Sequence, residues 1–156
     1  MWFLILVFGF NTNFGTPKAQ VKLPNMELTD FDKNIEVYEY TDSVYDQSFA
    51  IFYKHRVRKT VHITDTITDD LGFSVRATAD SISKNFADWK MTSKTKESDS
   101  TDSYHSCLEQ GLCSWKKMFE KGNVVAFIEI IPLRVRNKFI VYIAIEDSKY
   151  KGMLGY

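Results

Sequence analysis

The chain has 156 residues, 44% of them hydrophobic, and its 20 Lys and Arg residues balance 20 Asp and Glu residues. This is the length of one domain, and it is long enough to bury a core without several disulfides. Because the formal charges cancel, the composition argues against a chain dedicated to binding nucleic acid or an anionic membrane surface, which usually carries a basic excess.

The amino-terminal residues 1–10 are uncharged and almost entirely apolar. This run is too short to span a bilayer, which takes about 20 apolar residues, but it has the length of a signal-peptide core. The residues behind it predict cleavage after Ala19, with a signal peptide at 1–19 and one mature domain at 20–156. We therefore expect an exported protein, periplasmic or secreted, without a transmembrane segment in the mature chain. The alternatives are a buried first strand or helix of a cytoplasmic domain and an interfacial anchor, although an anchor needs a charged face.

Three stretches of the first half are rich in β-branched and aromatic residues or alternate between apolar and polar residues, which predicts strands. They are residues 35–40, 49–53 and 54–68. The third is predicted to be half exposed, with Thr60 and His62 on its solvent face, and to bend or break near Arg58. After a turn, one more short strand is predicted at 73–77.

The apolar period then changes to three- and four-residue steps, marked by Ala79, Ile82 and Phe86. This period predicts an amphipathic helix over residues 78–91. Residues 92–106 are mostly Ser, Thr, Lys, Glu and Asp, and such a segment buries too little apolar surface to order itself. We therefore expect a mobile loop at 92–106.

Two later stretches, 124–131 and 139–145, are apolar on both faces and are joined by a short connection. This pattern predicts an antiparallel hairpin at the centre of a sheet. The expected fold is a single α+β domain, an antiparallel sheet with this central C-terminal hairpin and one or two helices packed on one face. The residues expected to be largely buried in the hairpin are Phe127, Ile128, Val141 and Ile143.

Cys107 and Cys113 are the two cysteines of the chain. On one continuous helix they would stand roughly 9 Å apart along the axis, whereas a disulfide needs Cα atoms within about 7 Å. Gly111 lies between them and lets the chain turn back, and an exported chain meets an oxidising compartment. The sequence predicts the disulfide, and the continuous helix is the open alternative.

Catalytic motifs are absent from the sequence: it has no Gly-rich phosphate loop, no nucleophile elbow and no helical His pair. The catalytic candidates are His62, Asp65, Asp69 and Asp70. Strand parity places His62 and Asp65 on opposite faces, and it also separates His55 from His62 unless a bulge near Arg58 lies between them. The sequence therefore predicts no metal site and no cofactor.

A basic cluster is the remaining candidate for function. It consists of Lys54, Arg56, Arg58, Lys59, Arg134 and Arg136. If these residues converge, they form a patch that binds another protein or an acidic ligand; if not, they protect a strand edge. No nucleic-acid signature is present, and nucleic acid is not an expected partner. Two functions stay open: an exported non-catalytic binding or structural module, and a small secreted hydrolase built around His62 and nearby acids.

Export is tested by intact-mass spectrometry of the natively expressed protein. Removal of the apolar run by a signal peptidase leaves a mature chain that begins at or near Gln20. Recovery of the chain with Met1 intact from the soluble cytoplasm would contradict export, and it would also remove the oxidising compartment on which the predicted disulfide depends.

Overall fold

The protein is described by a computed structural model that covers residues 13–71, 73–95 and 101–155. In these ranges nine strands form one antiparallel sheet, accompanied by two α-helices. The elements are β1 (Glu27–Asp32), β2 (Ile35–Tyr40), β3 (Gln47–Tyr53), β4 (Arg56–Ile63), β5 (Ile67–Thr68), α1 (Phe73–Ser83), β6 (Lys90–Lys94), α2 (Thr101–Glu109), β7 (Trp115–Lys121), β8 (Val124–Pro132) and β9 (Lys138–Asp147). The strand order is β1-β2-β3-β4-β9-β8-β7-β6, and β5 pairs with β9 beside β4.

The predicted α+β fold and its central hairpin are confirmed. β8 and β9 pair along their whole length, with β7 beside β8 and β4 beside β9. Both helices cover one side, the helical face, where Val75 of α1 and Leu108 of α2 share a core with Ile128, Val141 and Ile143. We call the opposite side the back face.

One of the four predicted core residues differs from expectation. Ile128, Val141 and Ile143 are fully buried, whereas Phe127 is only half-buried. Successive side chains of a strand point to opposite faces, so Phe127 lies on the back face. No α-helix of the described ranges covers that face, and Phe127 therefore keeps contact with solvent.

The predicted strand at 73–77 and the predicted helix at 78–91 are both corrected. Residues 73–77 form the start of α1, because Asp69 caps it by accepting a hydrogen bond from the Val75 backbone N–H at 2.8 Å. The helix ends at Ser83, a 3-10 turn follows at Lys84–Phe86, and β6 begins at Lys90. The helix therefore begins five residues earlier and ends eight residues earlier than the apolar spacing predicts.

The predicted loop at 92–106 is also wrong over most of its length. Its first residues belong to β6, and α2 begins at Thr101, while 96–100 lie outside the described residues. Tyr104 and Leu108 stand one helical turn apart and are both buried in the core. Tyr104, together with Leu108 just beyond the predicted loop, buries apolar surface in the core. The polar composition of 92–106 did not predict this burial.

β4 carries a bulge at the position where a bend was predicted. Ile51 pairs with Lys59 and Phe52 pairs with Val57, so Arg58 is the extra residue. Beyond the bulge, Thr60 and His62 are fully buried, which corrects the half-exposed strand expected from the alternation. Both faces of β4 are covered by side chains: Tyr40 and Tyr45 pack against His62 on one face, and Leu154 belongs to the same buried cluster as Val61 on the other.

The segment before β1 pairs with the start of β4. The backbone N–H groups of Gly15 and Lys18 donate to the carbonyl oxygens of Val57 and His55, both at 2.8 Å. A mature chain beginning at Gln20 would lack these contacts. Residues 1–12 of the predicted signal peptide lie outside the described part of the chain. Within the described part, no helix has the length and apolarity needed to cross a membrane.

The central position of β9 yields a stability prediction. Replacing Ile143 with Ala should lower the free energy of unfolding by about 2–5 kcal/mol, because a fully buried side chain is lost and a cavity remains. The matched control Val44→Ala changes an exposed side chain and should stay within ~0.5 kcal/mol of wild type. Urea unfolding of both variants measures the difference, and equal losses would contradict the central position of β9.

Candidate functional site

The catalytic candidates predicted from the sequence do not come together. His62 pairs with Ile143 on β9, while the Asp69 backbone N–H donates to the carbonyl oxygen of Asn137 at 2.8 Å. Asn137 directly precedes β9 and stands six residues before Ile143, which corresponds to about 20 Å along the strand. Among the described residues, no group of three or more His, Cys, Asp or Glu side chains is arranged to hold a metal ion.

His62 has the surroundings of a core histidine. Its Nδ1 lies 3.0 Å from the Ser48 hydroxyl, and the rings of Tyr40 and Tyr45 pack against the imidazole at centroid distances of 6.3 and 5.0 Å. Burial lowers the pKa of His62 to about 4, although the nearby Asp42 charge opposes the shift. The imidazole is therefore neutral at ordinary pH and is held inside the fold.

The three aspartates serve local structure instead. Asp69 is buried and accepts hydrogen bonds from the backbone N–H groups of Leu71 and Val75, at 3.1 and 2.8 Å. Asp70 accepts from the Asn137 side-chain amide at 2.8 Å, and Asp65 is exposed. None of these contacts favours the hydrolase alternative, since no aspartate here faces His62 across a cleft.

The basic cluster is divided between the two ends of the sheet. Lys54 and Arg56 are exposed at the β3–β4 turn. The guanidinium of Arg58 pairs with Asp147 at 2.9 Å, and Lys59 is buried on the back face. Arg134 and Arg136 follow β8 and lie roughly 30 Å away, at the other end of β9. The structure therefore does not bring the six residues into one patch.

Three connections meet around Asn137 at the end of the sheet that carries the β8–β9 turn. The Asn137 backbone N–H donates to Glu109 Oε1 at 3.0 Å, and its side-chain amide donates to Asp70 Oδ1 at 2.8 Å. Its carbonyl oxygen accepts from Asp69. Asn137 adopts a left-handed φ of 57°, which Asn tolerates better than most residues. These bonds tie together the turn before α1, the end of α2 and the β8–β9 turn.

The three tied connections expose an unusual set of side chains, which we call the loop-end surface. Four large apolar residues and two arginines define it: Leu71 (61% exposed), Phe73 (59%), Leu112 (76%), Val135 (61%), Arg134 and Arg136. Single exposed apolar residues are ordinary, but apolar residues that gather on one part of a surface mark an interaction site. Among the described residues, neither arginine makes an ion pair. The sequence identified only the two arginines, because local periodicity cannot separate an exposed Leu from a buried one.

The cysteine pair supports Leu112 on this surface. Cys107 and Cys113 stand at disulfide distance, with Cα atoms 5.4 Å apart. α2 ends at Glu109, Gly111 takes a left-handed φ of 68°, and the Leu112 N–H donates to the Cys107 carbonyl at 3.0 Å. The two cysteines therefore stand at the distance that the predicted disulfide requires, and the continuous helix is excluded because the chain reverses at Gly111.

A second candidate site is a cavity of about 400 Å³ on the back face, which we call the back-face cavity. Its charged lining residues are Lys59, Lys116, Glu129, Glu146 and Lys151, and its aromatic lining residues are Phe127 and Tyr142. Desolvation by burial raises the pKa of Glu146 and lowers the pKa of Lys59, while each charge partly offsets the shift of the other. Burial and the neighbouring glutamates raise the pKa of Tyr142 to about 12.

The chain matches no known family model, no curated protein and no solved structure at a significant level. Its function is therefore inferred from its own geometry, in which the loop-end surface and the back-face cavity are the two candidates.

The burial of His62 gives a pH-dependent stability. The pKa of His62 falls from its ordinary 6.5 to about 4 on folding, so between these pH values the unfolded chain binds a proton that the folded chain does not. This contribution to stability is complete above pH 6.5 and is lost as the pH falls toward 4, with a magnitude on the order of 3 kcal/mol. Urea unfolding across this pH range measures it.

His62→Gln should show a shallower decline of stability over that range than wild type. Ile143→Ala is the control, because it destabilises the same core without removing a titrating group, and it should keep the wild-type slope. An unchanged slope in His62→Gln would show that His62 accepts its proton in the folded protein.

Proposed function

We propose that this protein is an exported, non-catalytic binding module whose loop-end surface binds an acidic, apolar segment of another protein. The observation that carries the proposal is that four exposed apolar side chains and two arginines lie on three connections that hydrogen bonds tie to each other. Neither arginine makes an ion pair with any residue that the structure describes.

The framework behind the surface is rigid. The three hydrogen bonds of Asn137 fix the turn before α1 and the end of α2 against the β8–β9 turn. The cysteine pair fixes the turn that carries Leu112. A surface that is ordered before binding loses less conformational entropy on association, and this favours affinity.

The charge of the surface selects an acidic partner. Arg134 and Arg136 are exposed, whereas the nearby carboxylates of Asp70 and Glu109 already accept hydrogen bonds from Asn137. Asp69 is buried beneath α1 and contributes no exposed charge. Arg134 and Arg136 are the exposed cations that an acidic partner would meet here, while Asp70 keeps its exposed negative charge beside Asn137. Arg is among the residues that contribute most to protein interfaces.

Export remains part of the proposal and rests on two features of the chain. The apolar residues 1–10 have the length of a signal-peptide core, and a disulfide between Cys107 and Cys113 is stable in an oxidising compartment. An extracytoplasmic protein that presents a disulfide-supported surface fits a role in protein recognition outside the cytoplasm.

Selection of random peptides displayed on phage against the full chain tests the proposed partner chemistry. We expect the retained peptides to combine Asp or Glu with Leu, Phe or Val. The double variant Arg134→Glu, Arg136→Glu should bind these peptides at least about tenfold more weakly, since hot-spot residues cost more than 1 kcal/mol when lost. Titration by fluorescence anisotropy measures the affinity.

The matched control is Lys33→Glu, Lys54→Glu, which makes the same change of charge in exposed turns at the opposite end of the sheet. It should leave peptide affinity unchanged. Equal losses in the two double variants would mean that binding depends on overall charge alone. Retained peptides without acidic residues would contradict the proposed partner.

A further inference from the structure

The back-face cavity lies against the sheet on one side and against residues 152–155 on another. Strands β7, β8 and β9 supply the floor, and Gly152 and Gly155 border the opening. The Lys59 ammonium donates to the Gly155 carbonyl oxygen at 2.8 Å, and Leu154 is buried against the back face. These contacts hold the last described residues beside the cavity, and the cavity's volume is in the range of small-molecule sites.

Glu146 contributes a buried acceptor to this cavity. Its Oε2 atom has no hydrogen-bond partner among the described residues, although Glu146 is only 2% exposed. The nearest ammonium, that of Lys59, lies 3.9 Å from Oε2, which is beyond the 2.7–3.2 Å of a hydrogen bond. Buried polar atoms nearly always have a hydrogen-bond partner. Oε2 is therefore an acceptor for the donor group of a ligand bound in the cavity.

A second charged group lines the more open side of the cavity. Lys116 Nζ stands 4.0 Å from Glu129 Oε2, again too far for a hydrogen bond. The ammonium groups of Lys116 and Lys151 lie 5.3 and 5.7 Å from the centre of the Phe127 ring. Two cations therefore lie near one aromatic ring, and they are available to pair with the carboxylate of a ligand in the cavity.

We propose that the back-face cavity binds a small amphoteric carboxylate, of the class of a free α-amino acid. Its ammonium would donate to Glu146 Oε2, and its carboxylate would face Lys116 and Lys151. Its side chain would lie against Phe127. The three lysines outnumber the two glutamates of the lining, so a zwitterion or a monoanion is favoured over a simple amine.

Isothermal titration of the full chain with three related probes tests this site. L-phenylalanine carries both charged groups, phenethylamine lacks the carboxylate, and hydrocinnamate lacks the ammonium. Wild type should bind L-phenylalanine more tightly than either analogue, because only L-phenylalanine reaches both ends of the cavity. A wild-type protein that gives no saturable binding with any of the three probes would overturn the proposal.

Two variants assign the ends of the ligand. Glu146→Gln keeps the shape of the side chain and should weaken L-phenylalanine and phenethylamine at least about tenfold, while hydrocinnamate is unaffected. Lys151→Met changes an exposed residue and should weaken L-phenylalanine and hydrocinnamate but not phenethylamine. If Glu146→Gln fails to fold, the Lys151→Met pattern alone decides.

The control Glu27→Gln, on the edge strand β1, should leave the affinity for all three probes at the wild-type value. Equal weakening of every probe in both cavity variants would show a general loss of structure and would overturn the assigned orientation. Phage-selected peptides and these small probes act at separate surfaces, so the outcome here is independent of the loop-end proposal.

Discussion

The pairing of β8 with β9 is the interaction on which the rest of the molecule depends. Val141 and Ile143 of β9 face the helices and are fully buried, while Tyr142 and Glu146 face the opposite side and line the back-face cavity. The residue before β9, Asn137, ties together the connections of the loop-end surface. One central strand therefore positions the core and both candidate sites, because alternate residues of a strand serve opposite faces.

The parts of the fold that follow from sequence are those in which local pattern and tertiary position agree. The hairpin of β8 and β9 is apolar on both faces, and its place at the centre of the sheet could be predicted from that pattern, although only its helical face is fully buried. The burial of β4 could not be predicted in the same way. The bulge at Arg58 resets the alternation, and the small polar side chain of Thr60 is buried where a solvent face was expected. α1 starts early for a comparable reason, since the cap from Asp69 is a side-chain contact that hydrophobic periodicity does not record.

Less of the candidate sites than of the fold could be predicted from the sequence. Arg134 and Arg136 were identified by charge, but their companions are the apolar residues of two other connections, which only the closed sheet brings near. Leu112 fits a buried helical stripe by spacing, and only the chain reversal at Gly111 exposes it. The back-face cavity depends on Glu146 and Lys59, which belong to different strands and meet through the register between β4 and β9. No local motif encodes such a pairing.

The segment before β1 constrains where a signal peptide can be removed. Val57 is fully buried, and both its backbone groups bond to this segment: its carbonyl accepts from Gly15 at 2.8 Å and its N–H donates to Thr16 at 3.1 Å. Cleavage after Ala19 would remove both of these partners and would open this part of β4 to solvent. Cleavage between the apolar run of residues 1–10 and Phe14 would retain them. The proposed export is therefore compatible with the packing of residues 14–18 when cleavage occurs before Phe14.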